Sequence, residues 1–202
     1  MKIGILQTGI AADALITKHG DYPDNFKNFL QNRGFEFEVY EVINNIFPDG
    51  INDCDGWLVT GSRHGAYEKH DWIPPLEKFI CDLYEADIPL IGVCFGHQII
   101  AQALGGIVEK FKGGWTVGRQ VYESDNGNRI KLIAFHQDQV ISASKCATKM
   151  SGNEYFKNAI LIYWQNALTM QLHPDFHNTN IPQLTIARRL ALSDDKIPNH
   201  AR

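Results

Sequence analysis

No apolar run in the 202-residue chain is long enough to cross a bilayer, and Met1 leads into the strand-like Lys2–Gln7 rather than into a charged and then apolar leader. The sequence therefore reads as cytoplasmic. Runs of lysine and arginine are also missing: 19 basic residues stand against 23 acidic ones, a formal charge of −4 that argues against a nucleic acid or an anionic membrane as partner. Cysteine is scarce. Cys54, Cys81, Cys94 and Cys146 fall at irregular spacings with no C-x-x-C pair, which suits neither a zinc ribbon nor a disulfide scaffold and leaves free thiols, one of them a candidate nucleophile. Neither G-x-x-x-x-G-K-[ST] nor G-x-G-x-x-G occurs, so the chain carries no recognisable nucleotide site and no cofactor is expected. Internal repeats and low-complexity stretches are absent too.

What is present is enough apolar residue, 44% of the chain, for one full core, and residues 1–202 read as a single domain. The first half alternates short apolar runs with amphipathic segments, the pattern that builds a parallel sheet covered by helices on both faces. Ile3–Leu6, Phe35–Val42, Trp57–Thr60 and Pro89–Val93 are the predicted strands. Pro23–Arg33 is predicted as a helix because Tyr22, Phe26, Phe29 and Leu30 recur at helical spacing and Gly34 suits a left-handed cap. Pro74 and Pro75 open a second helix with Leu76, Phe79, Ile80, Leu83 and Tyr84 on its apolar face. Phe95–Leu104 is the third, ended by Gly105-Gly106. Beyond it Thr116–Tyr122 and Ile130–Phe135 read as antiparallel strands around a turn at Ser124–Gly127, and Leu168–Leu172 as a strand running into His173. The fold class is α/β, an open and mostly parallel sheet with a small antiparallel addition. No convincing helix forms around Ile197–His200, so the C-terminal segment reads as incomplete.

The most informative junction is Gly92-Val93-Cys94-Phe95-Gly96. It has the form G-x-C-x-G between a buried strand and a helix, the cysteine version of a sharp turn that presents a nucleophile. Glycine two places to either side lets strand and helix approach without a Cβ collision, while the nucleophile takes a strained backbone conformation at the tip. Composition alone would give roughly 0.03 such matches for four cysteines in a chain of this glycine content. The pattern is therefore not accidental, although a buried structural cysteine at a strand end is the bland alternative. At a helix N-terminus the unpaired N–H groups carry partial positive charge that suits a nucleophilic sulfur.

Such a sulfur needs a base and an orienting acid, and Gln171-Leu172-His173-Pro174-Asp175 offers both at the end of another predicted strand. His173 and Asp175 point the same way if the chain stays extended, which Pro174 favours for the residue before it. Pro174 also argues against His173 and His177 as a helical metal pair, so no metal ligands are assigned. His97 is three places after Cys94 on the first helical turn and poorly aimed at the tip. His64 and His70 sit in the polar loop Ser62–Asp71, which borders the mouth, and solvated loop residues are the plain alternative for them.

With these residues in hand the sequence resembles the class I, triad-type glutamine amidotransferases, especially free-standing members similar to the glutaminase domain of GMP synthase. Gly92-Val-Cys-Phe-Gly-His-Gln98 matches that family's nucleophile motif, and His173-Pro-Asp175 matches its His-Pro-Glu with a shorter acid. The resemblance implies a flavodoxin-like fold and a glutaminase-type thioester reaction. In it Cys94 attacks the γ-carbonyl of glutamine or a related γ-glutamyl compound, His173 protonates the leaving amine and Asp175 orients the ring. It also implies an oxyanion site from the backbone N–H groups of Phe95 and Ser62, next to Gly61, where the family has Gly-Gly. Gln98 falls at the position that contacts the glutamyl substrate. His136, in His136-Gln-Asp-Gln-Val140, falls at a recurring segment near the site and is equally compatible with a structural histidine. Arg63 is a candidate partner for a substrate carboxylate. Partners would be the small γ-glutamyl substrate and, in one version, a separate synthetase that receives ammonia. A non-catalytic binding module on the same fold is the competing reading, and the intact Cys94, His173 and Asp175 set counts against it.

Overall fold

Each short apolar run of the first half becomes a strand of one sheet, because neighbouring residues on it must be buried on opposite faces. The computed structural model describes residues 1–11, 16–17, 20–124, 126–154, 156–163 and 166–176. Strands β1 (Lys2–Leu6), β2 (Glu36–Tyr40), β3 (Gly56–Val59) and β4 (Leu90–Val93) pair in parallel in the order β2-β1-β3-β4. Helices α1 (Tyr22–Phe29) and α2 (Ile73–Glu85) fall between them in sequence, and α3 (Phe95–Ala103) follows β4. Leu6, Trp57, Val59 and Leu90 pack on one face against Leu76, Ile80 and Leu83 of α2 and Phe95, Ile99 and Ile100 of α3. Ile5, Leu58 and Val93 face the other way, against Phe26 of α1. The period of two along β1 and β3 divides the two layers.

One further parallel strand joins these, and beyond it the sheet is antiparallel. β11 (Ala167–Met170) pairs in parallel with β4, and from it the order continues β10 (Ile160–Tyr163), β9 (Ala147–Gly152), β6 (Thr116–Ser124) and β7 (Arg129–His136), nine strands in all. β5 (Ile107–Lys110) and β8 (Asp138–Ser142) form a separate two-stranded ribbon. The expected α/β architecture is thus present. The predicted pair Thr116–Tyr122 and Ile130–Phe135 corresponds to β6 and β7, but β5, β8, β9 and β10 carry no clear apolar alternation and the sequence reading missed them.

Several boundaries move for identifiable reasons. α1 ends at Phe29, with Leu30 as its C-cap, rather than at Arg33, and it begins one residue early behind a capping box in which Asp21 and Asp24 each accept from the other's backbone. Gly34 is left-handed, at φ +72°, but lies beyond the helix rather than capping it. At the end of α3 Gly105 is left-handed at φ +88°, and Gly105 N–H and Gly106 N–H donate to Gln102 O and Ala101 O, the two bonds that close a helix on a glycine. The strand expected to run to Leu172 stops at Met170 and the chain bends at Gln171 and Leu172, although Gln171 N–H still donates to Ala159 O in the β10–β11 register. Asp125 of the predicted turn, His177 and the segment Ile197–His200 lie outside the described residues. Among the described residues no helix is long and apolar enough to cross a membrane.

The β4–α3 junction is closely packed, backbone against backbone. A methyl group at Gly92 would come to 2.6 Å from the backbone of Gly96, and one at Gly96 would run into the carbonyl of Val59. Helix propensity alone would make Gly96→Ala stabilising by about 1 kcal/mol. Overpacking against backbone costs up to about 3 kcal/mol, so we expect a net loss of about 2 kcal/mol on urea denaturation. Gly105→Ala meets no neighbour and pays only for its positive φ, roughly 1 kcal/mol. Equal or reversed losses would show that close approach at the junction is not the controlling term.

Candidate active site

Cys94 is the N-cap of α3 and holds φ +56°, ψ −105°, a backbone region that residues with a side chain rarely occupy. Its N–H donates to Met170 O at 2.9 Å, so the end of β11 fixes the turn. Gly96 N–H donates to Thr60 O at 3.1 Å and ties the first turn of α3 to the end of β3. Phe95 N–H has no acceptor among the described residues, as expected for the first residue of a helix, and neither has Ser62 N–H. Cys94, Ser62, Arg63, Gln98 and His136 all line a cavity of about 150 Å³.

His173 arrives by a different route from the one expected. Its N–H donates to Ile133 O of β7 at 2.9 Å in an isolated bridge, and residues 174–175 then turn instead of continuing extended. The turn still brings the acid into place: His173 Nδ1–H donates to Asp175 Oδ1 at 3.2 Å, with both side chains buried. Phe176, which the sequence reading did not single out, stacks on the imidazole at 3.8 Å and 4°. Gly61 stands against both reactive groups, since a methyl there would lie 3.4 Å from His173 Cε1 and 3.7 Å from Cys94 Cβ. Burial opposes charge on His173. The negative charges of Cys94 and Asp175, with hydrogen bonds to both, outweigh it and push the imidazole up to about 10.

The other two buried histidines differ in kind. His97 is fully buried, with Nδ1 2.8 Å from Thr169 Oγ1, and burial pushes it down to about 3. His136 is also pushed down to about 3 by burial, although the Asp138 carbonyl, 3.1 Å from its Nδ1, works the other way. It is neutral at physiological pH, and its Nε2 is buried without a partner among the described residues. Gln98 donates both amide hydrogens, to Asp138 O and Gln171 Oε1 at 3.0 Å each. A carbonyl can only accept, so the amide orientation is fixed and the Gln98 carbonyl oxygen is what remains for a ligand.

These features stand beside three comparisons. Residues 18–190 match the family model for the class-I glutamine amidotransferases. The chain belongs to that family. Over 174 residues it is 26% identical to gamma-glutamyl peptidase 4 of Arabidopsis thaliana, covering 79% of this chain and 69% of that one. Identity is also 26% with the glutamine-hydrolyzing GMP synthase subunit of Archaeoglobus fulgidus, over 82% of this chain and 89% of the relative. A glutamine amidotransferase structure from Thermotoga maritima superposes with a TM-score of 0.79 over 96% of this chain and 84% of that one, at 18% identity.

In this class-I amidotransferase chain, residues the sequence reading passed over hold the Gly61-Ser62 pair in place. Thr8 Oγ1 donates to Thr60 O at 3.0 Å and approaches Gly61 O at 3.3 Å, while Gly9 packs so closely that a methyl would lie 2.9 Å from Ser62 Cα. Thr8-Gly9 follows β1, and only its position after a strand end parallel to β3 would have drawn attention to it. Arg63 is exposed at the rim, and His64 lines the same wall.

The raised His173 generates a pH test. Removing the Asp175 charge removes one of the two that favour the imidazolium, so Asp175→Asn must lower the imidazole pKa. The alkaline limb of kcat/KM, which the about 10 value places well above neutrality in the parent, moves down in the variant. A limb at the same pH in both proteins would mean that the Asp175 charge does not act on His173.

Proposed function

We propose that residues 1–202 form one amidotransferase domain that hydrolyses a γ-glutamyl amide through a cysteine thioester, with Cys94 as nucleophile, His173 as acid and base, and Asp175 as orienter. The observation that carries this reading is the meeting of the left-handed Cys94, at the start of α3, with the buried His173–Asp175 pair beside a cavity open to substrate. Cys94 Sγ would attack the γ-carbonyl carbon, and the oxygen that gains the electron pair would face the N–H groups of Phe95 and Ser62. As the C–N bond breaks, His173 gives its proton to the leaving amine. His173 then takes a proton from water as the water attacks the thioester, and glutamate leaves with the Cys94 sulfur restored. Gln98 would offer its carbonyl oxygen to the substrate ammonium, and Arg63 its guanidinium to the carboxylate. Four unpaired cysteines, one of them the nucleophile, suit a reducing compartment such as the cytoplasm.

The substrate is the finer part of the proposal. The loop Arg63–Asp71 supplies Arg63, His64, Gly65, Tyr67 and Glu68 to the cavity wall, more contact surface than release of ammonia requires. We infer that the chain acts on γ-glutamyl compounds with an amine larger than ammonia, and the likeness to an Arabidopsis gamma-glutamyl peptidase favours this. The likeness to the Archaeoglobus GMP synthase component favours a second reading, in which ammonia passes to a separate synthetase.

Steady-state kinetics on the isolated chain distinguish the two. With Cys94→Ala as the blank, kcat/KM for γ-glutamyl dipeptides should exceed that for glutamine by about tenfold, the worth of one well-used pocket contact. His173→Ala should remove nearly all turnover, a loss of at least about 10³-fold. Silence on every γ-glutamyl substrate, followed by glutamine hydrolysis once a synthetase is added, would leave the ammonia-supplying reading in its place.

A further inference from the structure

Three side chains of the Ser62–Trp72 loop converge on one point at the rim of the cavity. His64 Nδ1 lies 3.1 Å and His70 Nε2 2.7 Å from the same oxygen, Glu68 Oε2, and all three donor atoms lie within 4.8 Å of one another. The hydrolytic chemistry above uses none of the three. Glu68 is held by its backbone N–H, which donates to Gly65 O at 3.0 Å, and His70 by stacking on Trp72 at 5.7 Å and 9°. The imidazoles meet edge to face at 4.3 Å, so both ring nitrogens are aimed before any ligand arrives.

We propose that His64, Glu68 and His70 form a binding site for a divalent transition metal ion, of which zinc is the best match. Two imidazoles and one carboxylate are the donor set of tetrahedral zinc and of its first-row neighbours, whereas magnesium and calcium take oxygen donors. Bonds of about 2.1 Å to a tetrahedral ion space the donor atoms by about 3.4 Å. The two N···O separations, 3.1 and 2.7 Å, are shorter than this, and Glu68, with 42% of its side chain exposed, can withdraw from both nitrogens without disturbing the core. Without an ion both ring nitrogens carry hydrogen and donate to the carboxylate. With it each neutral ring moves that hydrogen to its other nitrogen, so the lone pairs face the metal and no net proton need be released. Three protein ligands leave the fourth position to water or to a donor atom in the cavity, since His64 and Glu68 also line it. The ion would clamp the loop that begins at Ser62 and carries Arg63.

The site is a claim about binding and stands whether or not the hydrolytic assignment holds. It is tested on full-length Cys94→Ala, which removes the reactive thiol as a rival ligand. Zinc titration by calorimetry, and cobalt absorption in the visible, should give one ion per chain. His64→Ala, His70→Ala and Glu68→Gln in that background should each weaken binding by at least about 100-fold, more than the loss of an outer partner of a ligand. Glu68→Gln keeps an oxygen that can accept both N–H groups, so a cluster that is only hydrogen-bonded would survive it, and it decides the question even if a histidine variant fails to fold. Absence of cobalt or zinc binding to Cys94→Ala, or binding that all three substitutions leave unchanged, would overturn the proposal.

Discussion

Cys94 can hold φ +56° and ψ −105° only because the segments on both sides of it are pressed together without side chains. Strain of this kind costs on the order of 1–3 kcal/mol and persists where the surroundings leave no alternative. Here the surroundings are backbone: Gly92 lies against Gly96, Gly96 lies against Val59 O, and the Cys94 N–H is held by Met170 O. Relaxing the turn would pull α3 from β3 and β11 together. Phe95, Ile99 and Ile100 of the same helix sit in the main core, so the strained tip of the turn is stabilised by the hydrophobic burial beneath it.

Electrostatics then separates three buried histidines that composition cannot tell apart. All lie in apolar surroundings that disfavour charge, and for His97 and His136 a single backbone carbonyl is too weak to offset that cost, so both are held neutral. His173 alone among them lies beside Cys94 and Asp175, and their attraction for the imidazolium reverses the sign of the shift. The difference comes from position, because His97 follows Cys94 by three residues yet turns towards Thr169. His173, far away in sequence, is delivered by its backbone bridge to Ile133 of β7.

The sharp turn at Cys94 was legible because its requirements are local. Glycines at fixed offsets, a buried strand before and a helix after are all written within about a dozen residues, and the parallel half of the sheet follows from similar short-range periodicity. The antiparallel half was only partly legible: β9 shows the pattern of an exposed strand, and β10 and β5 are four residues each, too short for alternation to register. The route to Asp175 was misread for another reason. Pro174 does restrict the residue before it, but the chain bends at Gln171 and Leu172 and His173 then bridges to Ile133 of β7, and no local signal announces a partner forty residues back. Phe176 and Thr8 were invisible for the same cause, since their roles arise from contacts with segments distant in the chain.

The wall opposite Cys94 is built on a different principle from the turn itself. Thr60, Gly61 and Ser62 are tied to the end of β1 through Thr8 and Gly9, so the part of the loop nearest the sulfur shares the rigidity of the sheet. Past Ser62 the loop is held by side chains: Gln102 of α3 donates to Ala66 O at 2.8 Å, and Tyr67 OH donates to Asp138 Oδ1 at 3.1 Å. Arg63, Tyr67, Glu68 and Lys69 remain exposed around these anchors. Substitution there alters what the cavity meets while leaving the β1–β3 pairing and the β4–α3 junction untouched. A fold arranged in this way can hold the Cys94 turn fixed while the cavity wall changes, because the residues that fix the sulfur and those that form the outer wall belong to separately anchored stretches of chain.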